Sequence, residues 1–149
     1  KEQGVFIVST ALEEHYGFST CGANRNPQAD PNDPKSYEAG AYWKDYAKSN
    51  PQSKEYNDNY LLVPMDHRTV ADFTDGNSYR YEGNDGGMSW STPWLAGTYV
   101  LAKQANPNIT PEEFWKVALE TSDECRNNDD NAYVGRMINP QKIIETIRQ

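Results

Sequence analysis

The residue whose setting most favours chemistry is Ser89. It stands in Gly87-Met88-Ser89-Trp90-Ser91-Thr92-Pro93-Trp94-Leu95-Ala96-Gly97, at the head of an apolar run that reads as a helix. A serine hydroxyl is a weak nucleophile until a base takes its proton. At the start of a helix it gains a second asset, because free N–H groups and the helix dipole favour a developing negative charge there. Gly87, followed by Met88, allows the backbone to approach a bound group closely. The other use of Ser89 is plainer: serine is a preferred helix N-cap. These eleven residues alone leave both readings open. The two histidines, His15 after the first apolar run and His67 after Pro64, both read as surface or local structural groups rather than as a base for Ser89.

The elements that would position Ser89 follow from periodicity. Gly4 to Ala11 is a nearly continuous, β-branched apolar run, which predicts a strand buried on both faces of a parallel sheet. Residues 12–36, rich in Gly, Pro, Asn and Asp, read as a long loop. Tyr37 to Ser49 carries Tyr37, Ala41, Tyr42, Tyr46 and Ala47 near helical spacing, with Asn50-Pro51 as its stop. Tyr60 to Val63 reads as a short strand ended by Pro64. Thr69 to Phe73 and Ser78 to Tyr81 read as two strands joined by a turn at Asp75-Gly76-Asn77. A glycine-rich loop, Gly83 to Gly87, leads into a helix from Ser89 to Ala105, with Pro93 placed in its first turn. Thr110-Pro111-Glu112-Glu113 has the pattern of a capping box, and Phe114, Val117, Ala118 and Thr121 would form the inner face of the helix it opens. Asn127 to Asn131 reads as a polar loop. A last helix is expected from Pro140 to Ile147, with Ile143, Ile144 and Ile147 inward.

Composition narrows the classes. A chain of 149 residues can bury one core, and 12% aromatic content separates it from disordered sequences. The net charge is −8 and there is no basic stripe, which argues against a nucleic-acid partner. No run of 18 apolar residues is present to span a membrane. Cys21 and Cys125 are too few for a disulfide framework, and two free thiols are preferred to one bridge. The chain opens at Lys1 directly on an apolar run, which we read as a cut, with any targeting segment upstream; secreted and cytoplasmic locations both stay open.

The stretch around Ser89 resembles the nucleophile motif of the subtilisin-like serine peptidases, G-T-S-M-A-x-P-x-V-A-G. Gly87, Ser89, Pro93, Ala96 and Gly97 match in register, whereas Met88, Trp90 and Ser91 depart from it. Other segments resemble the same family in the same order. Asn108-Ile109-Thr110-Pro111 is similar to the N-L-T-P start of its next helix. Gly135-Arg136-Met137-Ile138-Asn139-Pro140 is similar to the segment that opens its final helix. Leu62-Val63-Pro64-Met65 is similar to a strand end, V-x-A-P-G, with Met65 in place of Gly. The run from Gly4 to Ala11 resembles the strand that precedes the oxyanion Asn. The resemblance implies an α/β fold: a mostly parallel sheet flanked by helices, the C-terminal portion of a subtilisin-like domain. Residues 1–82 would hold strands and a long loop, and residues 83–149 the nucleophile motif and C-terminal helices.

Two departures qualify what the resemblance implies. The family's His and Asp precede its nucleophile in the chain, and no H-G-T segment occurs here. In register, Glu13 occupies the oxyanion Asn position. An ionised carboxylate only accepts hydrogen bonds, so Glu13 would oppose the anion unless it points away and Asn24 or Asn26 substitutes. As plain residues, Glu13 and Glu14 are solvated loop positions. Three readings follow: a fragment of a serine endopeptidase acting on peptide or protein, inactive alone; a pseudopeptidase kept for binding or regulation; and a carbohydrate- or surface-binding module suggested by ten Tyr and four Trp. Trp90, Trp94 and Trp115 fall in helices, where core or groove packing is the better use. The resemblance implies neither metal nor cofactor. It implies as partners the missing N-terminal part of the domain and, in its absence, self-association.

Overall fold

The computed structural model describes residues 5–9, 12–39, 60–74, 76–83, 87–128 and 130–148. A five-stranded sheet runs in the order β2-β1-β3-β7-β6, built from β1 (Ser19–Arg25), β2 (Tyr37–Ala39), β3 (Tyr60–Pro64), β6 (Asp123–Arg126) and β7 (Tyr133–Met137). The central strands β1, β3 and β7 are parallel, and β2 and β6 add antiparallel edges. The class is α/β with a parallel sheet centre and flanking helices, as the sequence implied. Leu61, Leu62 and Val63 are all buried although they alternate faces, so β3 is covered on both sides.

The helices are α1 (Leu12–Tyr16), α2 (Met88–Ala105), α3 (Pro111–Glu120) and α4 (Pro140–Ile147). Helix α2 packs across β3 and β1, and α4 packs against both α2 and α3. The α3 start has both halves of its capping box: the Glu113 N–H donates to Thr110 Oγ1 at 3.1 Å, and the Thr110 N–H donates to Glu113 Oε2 at 2.9 Å. Two of the helix's orphan donors are satisfied this way. Phe114 and Ala118 of its inner face are fully buried. Helix α4 begins at Pro140 with Asn139 as its cap, the side chain accepting from the Lys142 N–H at 3.1 Å, and Ile143 is its buried anchor. A separate hairpin pairs β4 (Arg68–Ala71) with β5 (Tyr79–Glu82), close to the expected pair of strands.

Four expectations are corrected. The described part of the Gly4–Ala11 run, residues 5–9, is not a strand; Gly4, Thr10 and Ala11 lie outside the described residues. Val5 and Ile7 are exposed while Phe6 and Val8 pack on the core, so the segment lies over the surface on one side only. Its backbone is tied to a side chain instead of a ladder. The Ile7 N–H donates to the Tyr16 hydroxyl at 3.0 Å, and that hydroxyl donates to the Val5 carbonyl at 3.3 Å. Phe6 fills an aromatic cluster with Tyr16, Phe18, Tyr99 and Phe114, and Phe18 stacks on Trp115 with centroids 4.1 Å apart. Burial of those rings, not strand pairing, accounts for the apolar run.

Residues 12–36 are not one loop. They contain α1, closed by Gly17 at φ +76, a left-handed cap that favours glycine, and then β1, whose Cys21, Gly22 and Ala23 are buried. Tyr37 begins a strand rather than a helix, and residues 40–49 lie outside the described residues. Asn127 to Asn131, expected as a polar loop, connects β6 to β7, which pair antiparallel. Pro93 is the sixth residue of α2, in its second turn, so its missing N–H withholds a bond from the carbonyl of Ser89. Cys21 and Cys125 are both buried and neither is in a disulfide, and burial pushes the Cys21 thiol up to about 12, which leaves it protonated and unreactive at neutral pH.

Candidate functional site

The site lies where the parallel strands end. After Pro64, β3 gives way to Met65, Asp66 and His67, the β4–β5 hairpin follows, and the chain then enters α2 through Gly87. Gly87 is the N-cap of α2, with extended backbone (φ −169, ψ 162) and no side-chain capping bond. Met88 is the first helical residue, and Ser89 is the second and exposed. Ser89 is therefore not the cap, which removes the plainer use of that serine. The Trp90 N–H donates to the Gly87 carbonyl at 2.9 Å, tightening the turn that carries Ser89.

Beside this turn runs a groove of about 820 Å³. Its walls come from the carboxyl ends of β1, β3 and β7, from the proline-bearing segment 27–34, from the hairpin, and from Trp90, Pro93 and Trp94 of α2. Open α/β sheets bind ligands beyond the carboxyl ends of their strands. Asp66 is buried at the floor, where Oδ1 accepts from the Arg25 N–H at 2.9 Å. Burial raises its pKa, against the lowering effect of that N–H and of the nearby His67 and Arg68. Arg68 donates through Nη1 to the Met65 carbonyl at 3.0 Å, and its guanidinium lies 4.0 Å from the Trp90 ring centroid. His67 has a left-handed backbone (φ +48) and holds the Tyr81 hydroxyl at 2.7 Å through Nδ1. It is thus a local structural group, as its place in the sequence indicated.

The other candidates stand elsewhere. Glu13 is exposed in the first turn of α1, not at a strand end, and its carbonyl accepts from the Gly17 N–H at 2.9 Å. His15 is exposed on the same short helix. Asn24 and Asn26 bracket the end of β1, and the Asn26 side chain is engaged with the Gln28 N–H at 3.0 Å. Met65, the departure from the family's strand end, is seated on Gly22: a Cβ there would meet Met65 Sδ at 2.2 Å. Among the lining residues the groove includes neither Ser89 nor Glu13. Of the tryptophans, Trp115 is buried, Trp94 is half-buried and Trp90 is exposed at the groove. Sequence reasoning passed over Arg25, Asp66, Arg68 and Tyr81. The charged triplet after Pro64 was a signal for three of the groove's polar groups, but nothing in the chain linked it to Arg25, 41 residues earlier.

Fold and site together define an α/β protein with an exposed serine in the first turn of a helix, beside a groove at the carboxyl ends of parallel strands. Solved structures similar to it include two of known description. One is the A-subunit of the AB5 toxin from E. coli, at 21% identity and TM-score 0.46, over 60% of this chain and 27% of that one. The other is the patellamide maturation protease PatA, at 17% identity and TM-score 0.45, over 64% of this chain and 36% of that one. The chain thus spans about a third or less of the length of either. No protein-family model matches the chain, and no curated protein matches it. Among the described residues, no cluster of three or more His, Cys, Asp or Glu side chains is arranged to hold a metal, and no helix is long and apolar enough to cross a membrane.

Proposed function

We propose that this chain is the C-terminal portion of the catalytic domain of a subtilisin-like serine endopeptidase, with Ser89 as nucleophile. The observation that carries the reading is the place of Ser89: exposed, second in an 18-residue helix whose cap is Gly87. There the hydroxyl is available for attack, and the Met88 and Ser89 N–H groups at the open end of the helix can face an oxyanion. The reaction is acyl transfer. Ser89 Oγ attacks the peptide carbonyl carbon, a His takes its proton and returns it to the departing amine, and water then releases the acyl group. The His and its Asp partner come from the N-terminal part of the same domain. On this reading the chain alone is inactive, because Ser89 lacks its base.

Glu13 supports a second reading, a subtilase-like domain kept for binding or regulation. In the motif register Glu13 takes the position of an amide donor, and it lies on α1 and not among the residues that line the groove. Loss of one oxyanion donor costs about 10²–10³ in turnover. The two readings separate on the full-length protein assayed with a fluorogenic peptide. The peptidase reading requires turnover, its abolition by Ser89→Ala, and unchanged or raised turnover in Glu13→Ala. Full activity in Ser89→Ala removes Ser89 from the mechanism, and a folded full-length protein without turnover favours the regulatory domain.

A further inference from the structure

The hairpin β4–β5 is a two-stranded sheet apart from the main one, so among the described residues each of its strands has an open edge. One bond and the register show which main-chain groups point to those edges. The Asp72 N–H donates to the Ser78 carbonyl at 2.9 Å, one step beyond the partners Ala71 and Tyr79. Bonded and non-bonded pairs alternate along an antiparallel ladder. Val70–Arg80 and Arg68–Glu82 are therefore bonded pairs, and Ala71–Tyr79 and Thr69–Tyr81 are not. The N–H and C=O groups of Thr69 and Ala71 turn away from β5, and no described residue is bonded to them. His67, with its left-handed backbone, ends the ladder by donating its N–H to the Gly83 carbonyl at 3.0 Å.

The groove lies on that open side. All four residues of β4 line it, against Tyr81 alone from β5. Successive side chains of a strand point to opposite faces, so a cavity that touches four in a row follows the strand's edge and not one face. Thr69 and Ala71 are exposed there, and Arg68 and Val70 are half-buried. The hairpin is also held at both ends. Asp72 Oδ1 accepts from the Thr74 N–H at 2.9 Å and from its hydroxyl at 2.8 Å, and the Tyr81 hydroxyl is bonded to His67 Nδ1 at 2.7 Å. Native edges are commonly closed to pairing by Pro, Lys or outward charges. Strand β4 has neither Pro nor Lys, and its one charged side chain, Arg68, is turned to the Met65 carbonyl and Trp90.

We propose that the open edge of β4 takes an extended segment of another polypeptide as a third strand, with Thr69 and Ala71 making four main-chain hydrogen bonds to it. Donors and acceptors alternating along an edge are complementary to the main chain of a strand. Such pairing reads backbone and tolerates varied side chains, for which Pro27, Pro34, Trp90 and Trp94 across the groove offer an apolar wall. The groove, about 820 Å³, has the size of a ligand cleft. A second copy of this chain would bring β5 in with its own β4, and the facing wall stands against that, so the occupant is a single strand. The inference goes beyond the peptidase reading, because binding needs neither Ser89 nor turnover.

The test is amide hydrogen exchange followed by NMR on this chain, with and without the acetylated and amidated peptide Thr-Val-Thr-Val-Thr. In the free chain the Thr69 and Ala71 amides are expected to exchange faster than those of Arg68 and Val70. The peptide is expected to slow Thr69 and Ala71 about tenfold or more, as added hydrogen bonds imply, and to leave Tyr79 and Tyr81, which face the other edge, unchanged. Two modified peptides separate main-chain pairing from apolar docking. N-methylation of the second and fourth residues leaves one peptide edge intact and is expected to preserve binding. N-methylation of the second, third and fourth blocks both edges and is expected to weaken it about tenfold or more. Because the ligand is varied and not the protein, folding is not at stake. Ala71→Pro removes an N–H outside the ladder, which an edge strand tolerates, and is expected to weaken binding likewise. Equal binding of the two methylated peptides, absence of binding, or protection at Tyr79 and Tyr81 instead overturns the proposal. So does slow exchange of Thr69 and Ala71 in the free chain, which assigns the edge to the chain itself or, where it rises with protein concentration, to a second copy. All of these results leave the peptidase reading standing.

Discussion

Helix α2 has two faces that answer to different partners. Its inner face, with Ser91, Leu95, Thr98, Tyr99 and Ala102, is buried against the sheet and its neighbouring helices. Its outer face carries Trp90, Pro93, Gly97, Val100 and Leu101, all exposed, with Val100 and Leu101 at 55% and 49%. A surface helix ordinarily turns charged or polar residues outward, and one that is apolar on all sides belongs in an interior. The difference separates what this chain needs in order to fold from what it offers to something else. On the proposed function, the outer face is where the N-terminal part of the domain would lie. That part would bring the His and Asp to the end of the helix where Ser89 stands.

The largest expected contrast comes from truncating one residue on each face. Leu95→Ala should lower unfolding stability by about 2–5 kcal/mol, the range for a buried leucine, whereas Leu101→Ala should change it by about 0.5 kcal/mol or less. Urea unfolding of both variants measures this, and equal losses would abolish the distinction between the faces. The outer face has its own readout. The chain alone should self-associate through that apolar surface, and Val100→Lys with Leu101→Lys should shift light scattering toward monomer. A parent chain that is monomeric at high concentration contradicts it.

Next in size is the seating of Met65 on Gly22. Gly22→Ala should destabilise by about 1–3 kcal/mol through overpacking, since its Cβ would meet Met65 Sδ at 2.2 Å and Cγ at 3.0 Å. Met65→Ala in the same chain should recover part of that loss. Additive losses in the double variant would show that the two positions are not coupled.

The smallest effect belongs to α3. Thr110→Ala should cost about 1 kcal/mol by removing the helix cap. The Glu113 carboxylate accepts from the Thr110 N–H and hydroxyl, which lowers its pKa from the ordinary value of 4.5. A carboxylate with a depressed folded pKa contributes stability that is fully present above 4.5 and is lost as pH falls through the lower folded value. Thr110→Ala keeps the backbone N–H, the larger cause, and removes the hydroxyl, so it should flatten the stability profile in that acidic range only in part, as acid titration of unfolding midpoints would show. An unchanged slope would mean that the hydroxyl contributes nothing there.

How much of this was legible depends on what holds each element. Helices α3 and α4 were readable because caps and inward residues lie within the same ten residues, as with Thr110, Glu113 and Phe114. Strand β3 was readable from Tyr60-Leu61-Leu62-Val63 alone. Strand β1 was not, because Ser19-Thr20-Cys21-Gly22-Ala23 is made of small residues, and its place in the sheet is set by distant partners such as Met65 and Leu62. Strand β6 hides for a related reason: Asp123, Glu124 and Arg126 suit an exposed edge, and only Cys125 points fully inward. The run at residues 5–8 misled in the opposite direction, since its apolar side chains serve an aromatic cluster and not a ladder. At the candidate site, the serine and its helix were evident. The groove was not, because Arg25, Asp66 and Trp90 meet only once β1, β3 and α2 are assembled.

The central claim is that Ser89 is the activated serine. The most direct measurement treats the full-length protein with a fluorophosphonate probe and locates the adduct by mass spectrometry. The account predicts a single adduct on Ser89, formed rapidly by the native protein and not after denaturation. Labelling of a different serine, with Ser89 unmodified in an active protein, would contradict it.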